Sequence, residues 1–304
     1  TLVGRWAPES GYEWGLRRLM CCDSSVNGDR PDELRDMAEH LAAEAAAFVR
    51  RRRGELLDPA AGPARFRTKS SPTDPVTVAD TETEQLLRRR LAHLRPGDHI
   101  LGEEGGGPAG GGGGVRWVVD PIDGTVNFIY GVPAHAVSVA AQIDGVSVAG
   151  AVADVAGGEI YSAALGRGAD LIVDGRRRRL RCNAIDDLAM ALVGTGFGYE
   201  RQRRAAQAAL LAHVLPAVRD VRRIGSAALD LCMVAAGRLD AHYEHGLHVW
   251  DWAAGALIAA EAGAVVVLPG DDGDGAALLV AAAPGIASQL IAALDRHGGL
   301  RPLP

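Results

Sequence analysis

The chain has 304 residues, of which 48% are hydrophobic and 23% are charged, and its mean hydropathy is +0.04. This composition is typical of a soluble globular chain and excludes collagen-like or disordered classes. The net charge of -6 and the pI near 5.8 argue against a nucleic-acid partner, because no basic field offsets phosphate repulsion. The longest stretches without charged residues, 124–143 and 275–294, are interrupted by glycine and proline, so no membrane span is predicted.

Residues 1–31 lack apolar periodicity, and we interpret them as a flexible N-terminal extension before one catalytic domain over residues 32–304. The four cysteines form no Cys-x-x-Cys pair, and no signal-peptide pattern begins the chain. We therefore expect a cytoplasmic protein. Of the 32 basic residues only Lys69 is a lysine, which makes it a candidate anion contact, because a compact ammonium differs chemically from a guanidinium. The arginine clusters are interpreted as solvated faces.

Apolar spacing predicts a first helix from residue 32 to about 51 and a second from about 80 to 94. Short strands at 99–101 and 117–119 flank a glycine-rich loop at 105–114. Four strand-like runs separated by turns follow between residues 136 and 173, which indicates an antiparallel sheet. From there to residue 296, strands and helices alternate, so we expect mixed sheets covered by helices.

Acidic residues concentrate where predicted strands end or helices begin. They are Glu103 and Glu104, Asp120 and Asp123, and Asp251. Hard divalent cations such as Mg²⁺ take oxygen ligands, and paired ions in phosphatases need several carboxylates in one pocket. A turn at 120–123 can aim two carboxylates and the Ile122 carbonyl at one point. Gly124 and Thr125 then open a short helix whose free N–H groups can bind an anion.

Four stretches of the sequence resemble the inositol monophosphatase family, in the family's order and with compatible spacing. They are Lys-Ser-Ser-Pro-Thr-Asp-Pro-Val-Thr-Val-Ala-Asp at 69–80, Gly-Glu-Glu at 102–104, Trp-Val-Val-Asp-Pro-Ile-Asp-Gly-Thr-Val-Asn-Phe at 117–128, and the segment 225–255, which ends in Trp-Asp-Trp-Ala-Ala-Gly. The likeness covers about residues 35–300. It implies an α/β fold, a layered αβαβα sandwich, and a lithium-sensitive, Mg²⁺-dependent homodimer.

The resemblance also implies roles for single residues. Two to three Mg²⁺ ions would be held by Glu103, Asp120, the Ile122 carbonyl, Asp123 and Asp251. The attacking water would be oriented by Glu104, Thr125 and Asp80. The substrate would be bound by Lys69, Glu103, Ile122, Asp123, Gly124, Thr125, Arg222, Ala227, Glu244 and Asp251.

From this resemblance we predict a phosphomonoesterase that hydrolyses myo-inositol 1-phosphate and related inositol monophosphates with a metal-activated water. Histidinol phosphate, fructose 1,6-bisphosphate and adenosine 3',5'-bisphosphate stay open as substrates, because relatives that use them share the metal core. Glu244 favours an uncharged polyol as the leaving group, whereas Arg222 and Arg223 could instead bind a second phosphate. A regulatory binding protein on the phosphatase fold stays open as another functional class.

Three other catalytic patterns fit less well. The haloacid-dehalogenase motif has one residue between its aspartates, whereas two residues separate Asp120 from Asp123. Cys232 and Arg238 have the spacing of a cysteine phosphatase, but Cys232 falls on the apolar face of a predicted helix. Gly-Thr-Gly-Phe-Gly at 194–198 lacks the last glycine of a dinucleotide fingerprint and is interpreted as a strand-exit turn.

Overall fold

The computed structural model of the chain describes residues 3–5, 30–56, 66–68, 75–108, 114–269 and 276–304. The helices within these ranges are α1 (Pro31–Leu56), α2 (Val78–Leu94), α3 (Thr125–Tyr130), α4 (Arg201–Val214), α5 (Ala227–Ala235), α6 (Val249–Glu261) and α7 (Pro284–Asp295). The strands are β1 (Val3–Arg5), β2 (Phe66–Thr68), β3 (Pro75–Thr77), β4 (His99–Gly102), β5 (Val115–Asp123), β6 (Ala136–Ile143), β7 (Val146–Asp154), β8 (Ile160–Ala164), β9 (Gly168–Val173), β10 (Arg176–Arg179), β11 (Leu192–Thr195), β12 (Asp220–Arg222), β13 (Ala241–His245), β14 (Val265–Leu268) and β15 (Leu278–Ala282).

Two sheets and three helical layers alternate through the molecule. The seven-stranded sheet has the order β10-β9-β8-β7-β6-β5-β4, and the six-stranded sheet has the order β1-β14-β15-β13-β11-β12. Helices α1 and α2 cover the outer face of the first sheet, α5 and α6 fill the space between the sheets, and α4 and α7 cover the second sheet. The predicted αβαβα sandwich is therefore confirmed.

The layering follows from which residues are apolar. In α1 the buried positions Leu34, Leu41, Ala45 and Val49 recur at helical spacing, so one stripe of the helix faces the seven-stranded sheet. In β6 alternate residues enter the cores on opposite sides of the sheet, and the strand is buried almost from end to end. Such continuous apolar runs are expected where helices cover both faces of a sheet.

Small residues set the spacing of the middle layer. A Cβ atom added to Gly255 of α6 would lie 2.9 Å from the Cβ of Leu231 in α5. A Cβ atom added to Gly150 of β7 would lie 3.0 Å from the Cβ of Ala254. The helices of this layer therefore pack closely against each other and against the seven-stranded sheet.

Three segments differ from the sequence-based expectation. The strand predicted at 117–119 is longer, because β5 continues to Asp123. The turn-rich connection before α2 contains the short antiparallel hairpin β2–β3. Residues 176–179, interpreted as a solvated arginine face, form the edge strand β10 with all four arginines exposed. Charged side chains on an edge strand hinder pairing with another chain.

The N-terminal strand β1 pairs in parallel with β14, at the edge of the six-stranded sheet. Residues 6–29 lie outside the described residues, so the division into an extension over 1–31 and a domain over 32–304 stays a prediction. None of the described helices combines the length and the apolar character that crossing a membrane requires.

We expect two helical glycines to respond oppositely to alanine. Gly255→Ala should lower the free energy of unfolding by about 1–3 kcal/mol, because the methyl group overlaps Leu231. Gly54→Ala, in an open position on α1, should raise it by about 0.5–1 kcal/mol through helix propensity. Urea unfolding of both variants checks this; equal effects would contradict the close packing of α5 and α6.

Candidate active site

A bulge in β5 brings two aspartates to the same side of the sheet. Side chains three positions apart on a regular strand point to opposite faces. The pairing of β5 with β6 shifts between Asp120 and Asp123, so that one extra residue of β5 is accommodated there. Pro121 suits this position, because it has no N–H group to donate to a neighbouring strand. The Ile122 N–H donates to Asp120 Oδ1 at 3.0 Å and fixes the turn.

A third aspartate reaches the same point from α6. Asp251 lies in the first turn of that helix, where its Oδ2 accepts the backbone N–H of His248 at 2.6 Å. One carboxylate oxygen from each of Asp120, Asp123 and Asp251 lies within 4.8 Å of the other two. Together with Glu103, from the turn after β4, these residues line a cavity of about 480 Å³.

Helix α5 holds one of these carboxylates from its N-terminus. Asp123 Oδ2 accepts the Ser226 hydroxyl at 2.6 Å and the Ala228 N–H at 2.7 Å. Ser226 is also the N-cap of α5, because its oxygen accepts the Leu229 N–H at 3.3 Å. The sequence placed Ser226 at the start of a helix but did not predict that its hydroxyl would hold Asp123.

Burial and mutual repulsion make the acidic cluster unfavourable by itself. Burial raises the pKa of Asp120 well above its usual range, and Glu103, Asp123 and Asp251 raise it further. Burial, followed by the charges of Asp123 and Glu103, likewise raises the pKa of Asp251. Burial raises the pKa of Asp123 to about 7, although Ser226 and Ala228 oppose that shift. Because these donor groups are all oxygens, the cluster fits a hard divalent cation.

Thr125 is joined to a buried carboxylate of α2. Its hydroxyl lies 3.1 Å from Asp80 Oδ1 and 3.0 Å from the Ile122 carbonyl oxygen, so its single hydrogen serves one acceptor at a time. Asp80 Oδ2 accepts the Thr77 N–H at 2.8 Å and the Thr77 hydroxyl at 2.6 Å. Thr77 is the N-cap of α2, and this capping box therefore fixes the carboxylate that touches Thr125.

The turn that carries Glu103 and Glu104 is held by a buried glutamate. Glu84 accepts the N–H groups of Glu104 at 2.7 Å and Gly105 at 2.8 Å, and its side chain is 3% exposed. A Cβ atom at Gly102 would overlap this carboxylate, so glycine is required there. The sequence-based prediction missed Glu84; the signal was a charged residue on the helix face that also carries buried Leu87 and Leu91.

Most of the predicted site residues come together. The cavity is lined by Glu103, Asp120, Ile122, Asp123, Gly124, Thr125, Ala227, Glu244 and Asp251. Asp80 and Glu104 are not in this lining: Asp80 is fully buried and touches the site through Thr125, and Glu104 is half-buried beside Glu103. Lys69 lies outside the described residues.

Arg222 is the predicted substrate contact that the structure does not bring to the cavity. Its guanidinium is exposed and paired with Asp220, whereas the neighbouring Arg223 lines the cavity. Arg222 is the last residue of β12, and successive side chains of an extended segment point in opposite directions. The structure therefore places Arg223, and not Arg222, at the cavity, and the contact of either arginine with a substrate stays a prediction.

Cys232 lies in the apolar core and not in the cavity. Its side chain is fully buried between α5 and the seven-stranded sheet, and burial raises the pKa of the thiol well above its usual range. A thiolate nucleophile needs the opposite environment, with a lowered pKa. The core-helix interpretation of this residue is therefore confirmed.

The sequence and the fold are similar to those of known proteins. The sequence model of the inositol monophosphatase family matches residues 30–298. The inositol-1-monophosphatase of Mycobacterium leprae is 66% identical over 288 residues, which cover 92% of this chain and 99% of that protein. The solved structure of Mycobacterium tuberculosis SuhB superposes with a TM-score of 0.77 at 60% identity, covering 90% of this chain and 100% of that one.

A more distant relative is the Nus factor SuhB of Pasteurella multocida, which is 38% identical over 230 residues, 74% of this chain and 84% of that protein. The match to the family model and the identity to these relatives extend over most of the chain. The chain therefore belongs to the inositol monophosphatase family.

We expect the acidic cluster to lower the stability of the folded protein as the pH rises in EDTA, and we expect Mg²⁺ to restore that stability. The folded pKa of Asp123, about 7, exceeds the ordinary aspartate value, so the folded state binds more protons than the unfolded chain between about pH 4 and pH 7. In EDTA, stability should therefore fall as the pH rises through this window. Mg²⁺ at a hundredfold excess over its Kd at pH 8 should restore about 2.7 kcal/mol. The same Mg²⁺ concentration should restore less at pH 5, where protons compete with the cation for the carboxylates.

Thermal unfolding at both pH values, with EDTA and with Mg²⁺, checks this expectation without any substrate. Na⁺ at matched ionic strength separates binding at the site from screening of surface charge. A Mg²⁺ effect of equal size at both pH values would contradict a carboxylate site.

Proposed function

We propose that the chain is a Mg²⁺-dependent phosphatase that hydrolyses myo-inositol 1-phosphate and related inositol monophosphates. The observation that carries the proposal is the convergence of Asp120, Asp123 and Asp251 within 4.8 Å, at a cavity that Gly124 and Thr125 also line. The name of the Mycobacterium leprae relative supports the same activity.

The metal ligands of the proposal are oxygens of the cluster and its surroundings. Two to three Mg²⁺ ions are held by Glu103, Asp120, the Ile122 carbonyl, Asp123 and Asp251. When bound, the ions supply Lewis-acid neutralisation of the phosphate and activation of the attacking water. Bonds from Ile122, Ser226, Ala228 and His248 hold the aspartates in place, so little reorganisation accompanies binding.

Thr125, Asp80 and Glu104 act on the attacking water. Asp80 can accept the Thr125 hydroxyl hydrogen, which would leave the Ile122 carbonyl available to a metal ion and the threonine oxygen available to accept a hydrogen bond from the water. The N–H groups at Gly124 and Thr125 bind the phosphate oxygens. The proposed chemistry requires no covalent phosphoenzyme, and Cys232 could not form one because it is buried in the core.

Glu244 is proposed to select the alcohol part of the substrate. It lines the same cavity, and its carboxylate can accept hydrogen bonds from polyol hydroxyls. Arg203 and Arg223 line the same cavity and favour an anionic substrate over a neutral one. Lithium sensitivity, a homodimeric assembly and a cytoplasmic location belong to the proposal through the family resemblance.

A regulatory binding role is the second candidate, and the name of the Pasteurella multocida relative, Nus factor SuhB, favours it. A protein can keep its catalytic residues and acquire a partner, so this role does not exclude the first. The two are separated by turnover, because a purely regulatory protein releases no phosphate.

The substrate is tested by phosphate release from D-myo-inositol 1-phosphate, histidinol phosphate, fructose 1,6-bisphosphate and adenosine 3',5'-bisphosphate, each with Mg²⁺ and with EDTA. We expect kcat/KM to be at least about tenfold higher for the inositol ester, a preference of about 1.4 kcal/mol, and to vanish in EDTA. Preference for another ester would replace the substrate but keep the chemistry. No turnover with any ester would favour the regulatory role.

Asp120→Asn is expected to abolish turnover, because it removes a charge that two ions share. The fold should persist, since the amide has nearly the same shape and removes a destabilising buried charge. In EDTA at about pH 8 the variant should unfold at a higher temperature than the parent. Retention of more than about a tenth of the rate would contradict the shared-ligand role; Asp220→Asn, at an exposed ion pair, is the matched control.

A further inference from the structure

A buried charged cluster lies behind the cavity and has no role in the chemistry above. It consists of Asp230 on α5 with His242 and Glu244 on β13. His242 Nδ1 lies 3.9 Å from Asp230 Oδ2, and His242 Nε2 lies 3.5 Å from Glu244 Oε2. The side chains of Asp230 and His242 are 1% and 0% exposed, whereas that of Glu244 is 12% exposed. The imidazole therefore lies within ion-pair distance of an internal carboxylate and of one that lines the cavity, and neither ring nitrogen has a hydrogen bond to the described residues in this arrangement.

Two glycines leave the space that this cluster occupies. Gly194 and Gly196 are two positions apart and so face the same side, and Gly194 lies opposite His242 in the parallel pair of β11 and β13. A Cβ atom at Gly194 would lie 3.0 Å from Asp230 Oδ1 and 3.1 Å from His242 Nδ1. A Cβ atom at Gly196 would overlap the carboxylate of Glu244. The Gly-Thr-Gly segment thus forms one wall of the cluster.

The electrostatics of the cluster keep the ring and the carboxylates together. Burial opposes a charge on His242, but the negative charges of Asp230 and Glu244 reverse the effect and raise its pKa. Burial raises the pKa of Asp230 to about 8. A neutral imidazole offers one donor and one acceptor, and a charged one offers two donors, so either form can bond to Glu244.

We infer that His242, supported by Asp230 and by the Gly194–Gly196 wall, is a positioning residue that holds the Glu244 carboxylate toward the hydroxyl groups of the leaving alcohol. This inference rests on the proposed function, which assigns Glu244 to the substrate. A carboxylate already fixed by its neighbours loses less side-chain entropy when it binds those hydroxyls. The cluster thereby sets affinity for a polyol ester and leaves hydrolysis of the phosphate unchanged.

The test compares two esters that differ in the alcohol. D-myo-inositol 1-phosphate carries free hydroxyls that can reach Glu244, whereas p-nitrophenyl phosphate carries none. His242→Phe fills a similar volume without bonding to Glu244. We expect it to raise KM for the inositol ester about tenfold with kcat within about threefold, while both constants for p-nitrophenyl phosphate stay within about twofold.

Two further variants keep the test informative if the first folds poorly. His242→Gln retains a hydrogen-bonding group and should restore part of the affinity for the inositol ester. Gly196→Ala displaces Glu244 without changing His242 and should raise the same KM. Urea unfolding of each variant shows whether a change in KM is separate from a loss of stability.

His245→Gln is the matched control. His245 lies on β13 as well and is 1% exposed, but it faces the other side of the strand, where its Nε2 is 2.8 Å from the Gly299 carbonyl oxygen. This variant should lose stability while the ratio of the two kcat/KM values stays at the parent value.

The outcomes separate this inference from the proposed function. If the parent enzyme hydrolyses both esters, and His242→Phe and Gly196→Ala either leave KM for the inositol ester unchanged or raise both KM values equally, the positioning role is wrong. If the parent hydrolyses p-nitrophenyl phosphate but not the inositol ester, the proposed substrate is wrong and the assignment of Glu244 is wrong with it. If it hydrolyses neither, the phosphatase activity itself is refuted.

Discussion

The structure depends on the repulsion between carboxylates that the fold brings together at one cavity. One bulge in β5 turns Asp120 and Asp123 to the same side, and α6 adds Asp251. Burial and mutual charge then raise the pKa of each. Such a cluster lowers the stability of the protein when no cation is bound. The surrounding hydrogen bonds hold the carboxylates in place, and a bound cation would neutralise their charge.

Three of the helices that begin at the site hold its carboxylates in place. The first turn of α2 contains Asp80, the first turn of α5 donates to Asp123, and the first turn of α6 contains Asp251. A helix N-terminus carries unpaired N–H groups and partial positive charge, both of which favour a nearby carboxylate. The five-layer architecture makes this convergence possible, because α5 and α6 lie between the two sheets and α2 covers the outer face beside β5.

The sequence was most informative where chemistry and local pattern coincide. Acidic residues at predicted strand ends identified the cluster, and helical periodicity placed α1 and α2. It was least informative where long-range packing decides. The bulge in β5 needs the register with β6, and the edge strand β10 needs a partner that only the folded chain supplies. Lys69 lies outside the described residues, so its role stays a prediction.

Two of the missed residues share one physical feature. Glu84 and His242 are polar side chains in positions that periodicity assigns to the core, and each has a partner on another element that local pattern does not reveal. The two neighbouring arginines are a different case, because a shift of one residue decides whether Arg222 or Arg223 faces the cavity. Pattern analysis gives the face of a strand only when its register is known.

Capping and catalysis use the same atoms in this fold, and this has an evolutionary consequence. Losing Asp80, Asp123 or Asp251 would remove an acceptor for the first turn of a helix as well as a group of the site. A descendant released from selection for turnover would therefore still be under selection to retain these acids for folding. Retention of the acidic motif in a distant relative would consequently be weak evidence that the relative still hydrolyses an ester.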